Sequence, residues 1–329
     1  MAKHRNLFAK LALFLMACLC LAGGSRAAEP PSAALEALRQ SDVRLATVLY
    51  RLATANDELC LEHVGAAGLV LHDSSAYTGA VRDVAVRYFD FESAIGIEGA
   101  VPGSPAAKAG IRADDSLIAI NGDAIPPDES REQAIESVEA AAATGPVRLA
   151  VRHGGHDRDV TLEPVRACRA DAEVAVSDDL NAGTDGDVIQ VDSALINLIG
   201  GDDQALAAIV AHELAHIVLD HPDRLTAAHV NRGLFKGFGR NARLIKQTEN
   251  EADRLSVTLM ANAGYDPRAA VRYWLTYGPH LNDHGGFGST HLSWRERADL
   301  IRAEVDRVSR ETVRPIVPAW INSRTQPLR

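Results

Sequence analysis

The chain has 329 residues, 47% of them apolar and 24% charged, which is enough for two domains with cores of their own and excludes a disordered or collagen-like protein. Its formal net charge is −10, and removing residues 1–27, which hold Lys3, Arg5, Lys10 and Arg26 and no acid, takes it to −14. Phosphates are repelled by so acidic a chain, so nucleic acid is excluded as a default partner.

In chain order, Lys3, His4, Arg5 and Lys10 come first, followed by the apolar run 11–24 and then Ser25 and Ala27, which fit the −3 and −1 positions of a signal-peptidase site. The pattern predicts a signal peptide over 1–27 and an exported protein of the periplasm or cell envelope. The run is shorter than the roughly 20 residues of a spanning helix, and no other segment is both long and free of charge, so the exported part is expected to be soluble. Leu15, Met16, Ala17 and Cys18 offer a second reading, lipid anchoring at Cys18, which Met16 and the continuing apolar run disfavour. Cys18 and Cys20 lie inside the leader, leaving Cys60 and Cys168. An oxidising compartment permits one disulfide between them; two separately buried thiols are the alternative.

Residues 28–65 form an N-terminal helical segment: Leu35, Leu38, Leu45, Val48, Leu49 and Leu52 recur at helical spacing over 32–57, an amphipathic helix packed on a neighbouring domain. Residues 66–167 change texture to short β-like runs broken by glycine and proline. Pro105 opens and Gly110 ends a turn of helix, which feeds a strand and a tight turn at Asn121 and Gly122. A helix is expected over 129–143, then a hairpin of 147–151 and 160–162 around Gly154 and Gly155.

With its string Gly103-Ser104-Pro105-Ala106-Ala107-Lys108-Ala109-Gly110, this region resembles a PDZ domain of the kind attached to bacterial exported proteases. The resemblance implies capture of an extended peptide by its terminal carboxylate. The loop expected to hold that carboxylate is Ser93, Ala94, Ile95, Gly96 and Ile97; a spacer with a closed groove is the alternative.

Residues 168–308 carry His212-Glu213-Leu214-Ala215-His216 within the unbroken apolar stretch 204–219, with Asp202 or Asp203 available as N-cap. A spacing of four puts both imidazoles on one helix face, as two ligands of one zinc ion require, with Glu213 placed as general base. The class whose third ligand is a histidine needs glycine at 219 and histidine at 222; Leu219 and Pro222 exclude it. Residues 249–254 open a further helix, apolar-periodic over 255–263 and ended by Gly264 and Pro267; Glu249 and Asp253, four apart, share a face of it, so one carboxylate can bind metal while the other bonds a ligand histidine. Glu251 points about 200° away from Glu249 and reads as a solvated charge. His221, five past His216, reads as a structural residue facing away from the metal pair.

At these residues the chain resembles zinc metallopeptidases of the HtpX and CAAX-prenyl-protease type, over about 170–308. The resemblance implies His212, His216 and Glu249 as ligands of one Zn²⁺, Glu213 as base, and Asp253 and Arg297 as residues orienting the ligands. It also implies that His291 lies near the metal and stabilises the oxyanion or occupies the open position, although Leu292 stands where the family has proline.

The interval 224–248 contains Arg224, Arg232, Lys236, Arg240, Arg243 and Lys246 and no acid, and reads as a mobile lid, a peripheral contact with anionic lipid or a plain connector. Residues 309–329 are a C-terminal tail. The expected architecture is α+β, a mainly helical metalloprotease domain behind a small β-rich PDZ domain and an N-terminal helix. The expected function is peptide-bond hydrolysis of envelope polypeptides, selected through exposed C-termini, in protein quality control. A peptide-binding or chaperone-like module with a closed metal site is the alternative.

Overall fold

The computed structural model describes residues 31–230, 239–281 and 292–328. Helix α1 (Pro31–Ala55) opens the fold and is shared by two cores. Leu45, Val48, Leu49, Leu52 and Ala53 enter the larger, C-terminal core, while Leu35 packs with Ala85 and Phe89. Gly99 makes this packing possible: a Cβ there would stand 2.9 Å from Val43 Cγ2, so α1 approaches the sheet only where a side chain is missing.

The first domain is bounded by strands β1 (His63–Ala66) and β8 (Val165–Cys168), which pair antiparallel. Between them lie β2 (Leu69–Asp73), α2 (Gly79–Tyr88), β3 (Ile95–Ala100), α3 (Pro105–Lys108), β4 (Asp115–Ile120), β5 (Asp123–Ala124), α4 (Arg131–Ala142), β6 (Val147–His153) and β7 (His156–Leu162). The sheet order is β2-β3-β4-β6-β7, with β5 beside β4. Local chemistry explains these bounds. Ser104 caps α3 with Pro105 in its first turn. Ser130 and Gln133 close a capping box on α4. Gly154 and Gly155, at φ 57° and 77°, supply the two left-handed residues that join β6 to β7. Alternating side chains of β3, β4 and β6, with Ala134 and Val138 of α4, form this domain's core.

The second domain opens with β9 (Asp171–Ala175), β10 (Ala182–Thr184) and β11 (Val188–Asp192) in the order β10-β11-β9. Helices α5 (Ser193–Ile199), α6 (Asp203–Val218), α7 (His221–Ala227), α8 (Gly239–Asn262), α9 (Arg268–Tyr277) and α10 (Trp294–Val308) follow. Asp202 caps α6 by accepting the N–H groups of Gln204 and Ala205 at 3.0 Å. Residues 205–211 of α6 are all buried, so it is a central helix covered on every side. Helix α8 starts at Gly239, well before Glu249, so the second half of the basic interval is helical. Arg224 is buried against Glu251 at 2.8 Å and is therefore no membrane-facing charge, while Arg240 and Arg243 are exposed. Among the described residues no helix is long and apolar enough to cross a membrane.

Two devices tie the domains. The structure joins Cys60 to Cys168 with Cα atoms 5.5 Å apart, and both cysteines lie in the larger core. Arg131, at the start of α4, donates from Nε to Leu71 O of the edge strand β2 at 3.1 Å and from Nη2 to Asp171 Oδ2 of β9 at 2.5 Å.

A third contact is pH-sensitive. Asp42 of α1 accepts the N–H of Val174 of β9 at 2.9 Å. Burial and the neighbouring Glu98 carboxylate push its pKa up to about 7, against the Val174 hydrogen bond and Arg131. The folded pKa lies above the ordinary carboxylate value, so this contribution is fully present below pH ~4 and is lost as pH rises through about 7. Asp42→Asn keeps an acceptor for Val174 and cannot ionise. It is expected to melt a few degrees above the wild type at pH 8, on the order of 1–3 kcal/mol, and together with it near pH 4. Parallel pH profiles of melting temperature for the two proteins would contradict this.

Candidate metal centre

Helix α6 carries His212, Glu213 and His216, and α8, packed across it, carries Glu249 and Asp253. The Nε2 atoms of His212 and His216 lie 3.2 Å apart. Glu249 places Oε2 3.4 Å from His212 Nε2 and Oε1 3.7 Å from His216 Nε2. Tetrahedral zinc with bonds of about 2.0–2.1 Å has ligand–ligand edges of about 3.3–3.4 Å, so two imidazoles and a carboxylate at these separations fit that ion.

The second nitrogen of each histidine is held by another side chain. His212 Nδ1 lies 3.0 Å from Asp253 Oδ1. Arg297 of α10 grips the same carboxylate in two places, Nη2 to Oδ1 at 2.6 Å and Nε to Oδ2 at 2.8 Å. Its guanidinium also stacks 3.9 Å from the Trp274 ring centroid. Burial works against ionising Asp253, but Arg297 outweighs it and holds the carboxyl below the usual range. Burial also disfavours a charged His212, yet the bonds to Asp253 and Glu249 raise it to about 10. Burial drives His216 well below the ordinary histidine value. An incoming metal ion must displace the proton on His212, so metal binding releases a proton and strengthens with pH.

Glu213 is 8% exposed and lines the same cleft, about 590 Å³, as His212, His216 and Glu249. Burial, reinforced by the Glu249 carboxylate, pushes it up to about 7. One wall of the cleft is β10, which among the described residues is an edge strand paired only with β11; apolar side chains of Leu195, Ala208, Tyr273 and Trp274 form another.

Comparison with known proteins gives two family matches. The model for Peptidase family M48 matches residues 169–243 and again 224–305, and a PDZ domain model matches 96–153. The chain carries an M48 peptidase domain behind a PDZ domain. No curated protein matches the chain. M48 is a family of zinc-dependent metallopeptidases, and the His212, His216 and Glu249 cluster of the M48 domain could hold such an ion.

Several expectations need correction. His221 does not face away from the site. Helix α6 stops at Val218, and Asp220, in the left-handed region at φ 54°, turns the chain back. The His221 ring therefore comes to rest with Nδ1 3.0 Å from His216 Nδ1. Glu251 is not a solvated charge. Helix α7 covers that flank of α8, and Glu251 Oε2 meets His221 Nε2 at 3.2 Å and Arg224 Nη1 at 2.8 Å. Burial alone would raise Glu251, but bonds from His221, Gln247 and Arg224 bring it to about 2. The signal that could have found this pair is the run Leu219-Asp220-His221-Pro222, in which the proline at N1/N2 of α7 marks a new helix start rather than a continuation of α6.

The carboxylate loop assigned to the PDZ domain is also misplaced. Ile95, Gly96 and Ile97 lie in β3, an inner strand paired with β2 on one side and β4 on the other, so their backbone groups are committed to the sheet. The Ser93 hydroxyl is likewise used locally, 2.8 Å from both Ile95 O and Leu117 O, and Ala94 O accepts from Ser74 N at 3.0 Å. Among the described residues the edges of this sheet are β2 and β7, not β3. His291, residues 231–238 and the leader 1–27 with Cys18 lie outside the described residues.

Proposed function

We propose that the protein is an exported zinc metalloendopeptidase acting on polypeptides of the cell envelope in protein quality control, its PDZ domain selecting exposed termini or gating access. The observation that carries the hydrolytic reading is the pair of histidines and the Glu249 carboxylate at zinc-like separations, with Glu213 beside them in a cleft walled by an open strand edge. His212, His216 and Glu249 would hold the ion, which supplies Lewis acidity toward a peptide carbonyl and an attacking water. An extended substrate would pair with β10, an edge strand whose residues 182–184 line the cleft, which favours a polypeptide over a small molecule. Glu213 accepts the proton of the attacking water and passes it to the leaving amine. Asp253, clamped by Arg297, fixes the ring of His212 throughout. Export is supported by the leader-like sequence over 1–27 and by the Cys60–Cys168 bond, which suits an oxidising compartment. Arg240 and Arg243 are the exposed cations, among the described residues of the interval 224–248, that a peripheral contact with anionic lipid would use.

The test is incubation of an unfolded polypeptide with the zinc-loaded and the chelator-stripped protein. Internal cleavage is expected that stops on chelation and returns with zinc. Binding of the polypeptide without cleavage in either form would instead support the chaperone-like module.

A further inference from the structure

The metal-facing atom of His216 is Nε2, so its other nitrogen, Nδ1, must be held from behind if the ring is to stay aimed. Among the described residues no carboxylate stands there, in contrast to Asp253 behind His212; the partner is a second imidazole, His221, at 3.0 Å. His221 is 1% exposed, and its far nitrogen, Nε2, lies 3.2 Å from Glu251 Oε2. Glu251 in turn accepts from Arg224 Nη1 at 2.8 Å and from Gln247 Nε2 at 2.8 Å, and Arg224 Nη1 also reaches Leu219 O at 3.3 Å.

Only one placement of protons satisfies the whole row once His216 gives its Nε2 lone pair to a metal. Its proton then sits on Nδ1 and is donated to His221 Nδ1. That nitrogen must be an acceptor, so the proton of His221 sits on Nε2 and is donated to the Glu251 carboxylate. Each nitrogen and the facing carboxylate oxygen has a partner of the right kind, and the far end is anchored by a buried guanidinium.

We propose that His221 is a positioning residue for the metal centre, holding His216 in its ligating tautomer and orientation through a relay that ends on Glu251. This rests on the reading of His212, His216 and Glu249 as metal ligands. The two ligand histidines are then held differently, His212 directly by a carboxylate and His216 by a carboxylate acting through an intervening imidazole. Helix α7, which carries His221 and Arg224, becomes part of the centre although it supplies no ligand.

The test measures zinc affinity of the full chain by competition with a chromogenic chelator. His221→Phe keeps an aromatic ring but offers no acceptor, and is expected to bind zinc about 10–100-fold more weakly. His221→Asn, whose amide oxygen takes the place of Nδ1, is expected to recover most of that loss; a variant that merely disturbed packing would not be rescued this way. Glu251→Gln keeps an acceptor for His221 and is expected to lose only a few-fold. Imidazole NMR of the zinc-loaded wild type provides a readout that needs no variant to fold, with His216 protonated at Nδ1 and His221 at Nε2. Wild-type zinc affinity in His221→Phe, or a proton on Nδ1 of His221, would overturn the proposal while leaving the ligand set intact. A wild type that binds no zinc would overturn the ligand set itself.

Discussion

Replacing Glu213 with glutamine is expected to reduce peptide-bond hydrolysis by about 10²–10⁴-fold or more while zinc stays bound. The contrast follows from where the side chain stands. Glu213 neighbours His212 on α6 and lines the cleft, yet the grouping whose atoms converge on one point is His212, His216 and Glu249. Glutamine matches the carboxylate in shape, so the buried helix tolerates it, but it cannot accept a proton at neutral pH. The measurement is paired: metal content of the purified variant by elemental analysis, and initial cleavage rate on an unfolded polypeptide. Full activity with full zinc would remove the general base from this residue, and loss of zinc would make Glu213 part of the holding set instead.

Loss of the covalent tie between Cys60 and Cys168 is expected to cost about 3–5 kcal/mol of stability. The bond closes a sequence separation of 108 residues that contains the whole first-domain sheet, and a loop of about that length carries a chain-entropy contribution near 4.7 kcal/mol. Both sulfurs lie in the larger core, so reduction also leaves two thiols in a space shaped for a bond. A Cys60→Ala and Cys168→Ala double variant should melt roughly 10 °C below the wild type, and reductant should lower the wild type toward the variant without moving the variant. Identical melting with and without reductant, together with thiols that react in the folded wild type, would mean that the two cysteines sit unbonded.

The chain announces its centre and hides part of the centre's support. Helix α6 is legible because an apolar run with an N-cap needs no tertiary context, and spacing alone puts His212 and His216 on one side of it. Glu249 and Asp253 are legible for the same reason, being one turn apart. His221 and Glu251 are not legible in this way, because a left-handed residue at Asp220 breaks the helical spacing and because the flank of α8 that α7 covers is fixed by packing, not by sequence period. The start of α8 is obscured by its polar, basic first turns, which look like a connector until the Leu244 position is seen to be buried. In the PDZ domain the glycine and proline punctuation gives α3, α4 and the β6–β7 hairpin, whereas the order of strands decides that Ile95 to Ile97 are interior, and order is not written in local sequence.

Because α1 lends Leu45, Val48, Leu49 and Leu52 to one half of the molecule and Leu35 to the other, neither half owns it. A fragment trimmed to begin at residue 168 would be left with a greasy furrow where those leucines had been, and would tend to clump before it could be assayed. The two modules are better pictured as rooms sharing a load-carrying beam than as beads on a string, and a recombinant version that keeps residues 31–328 together preserves that beam.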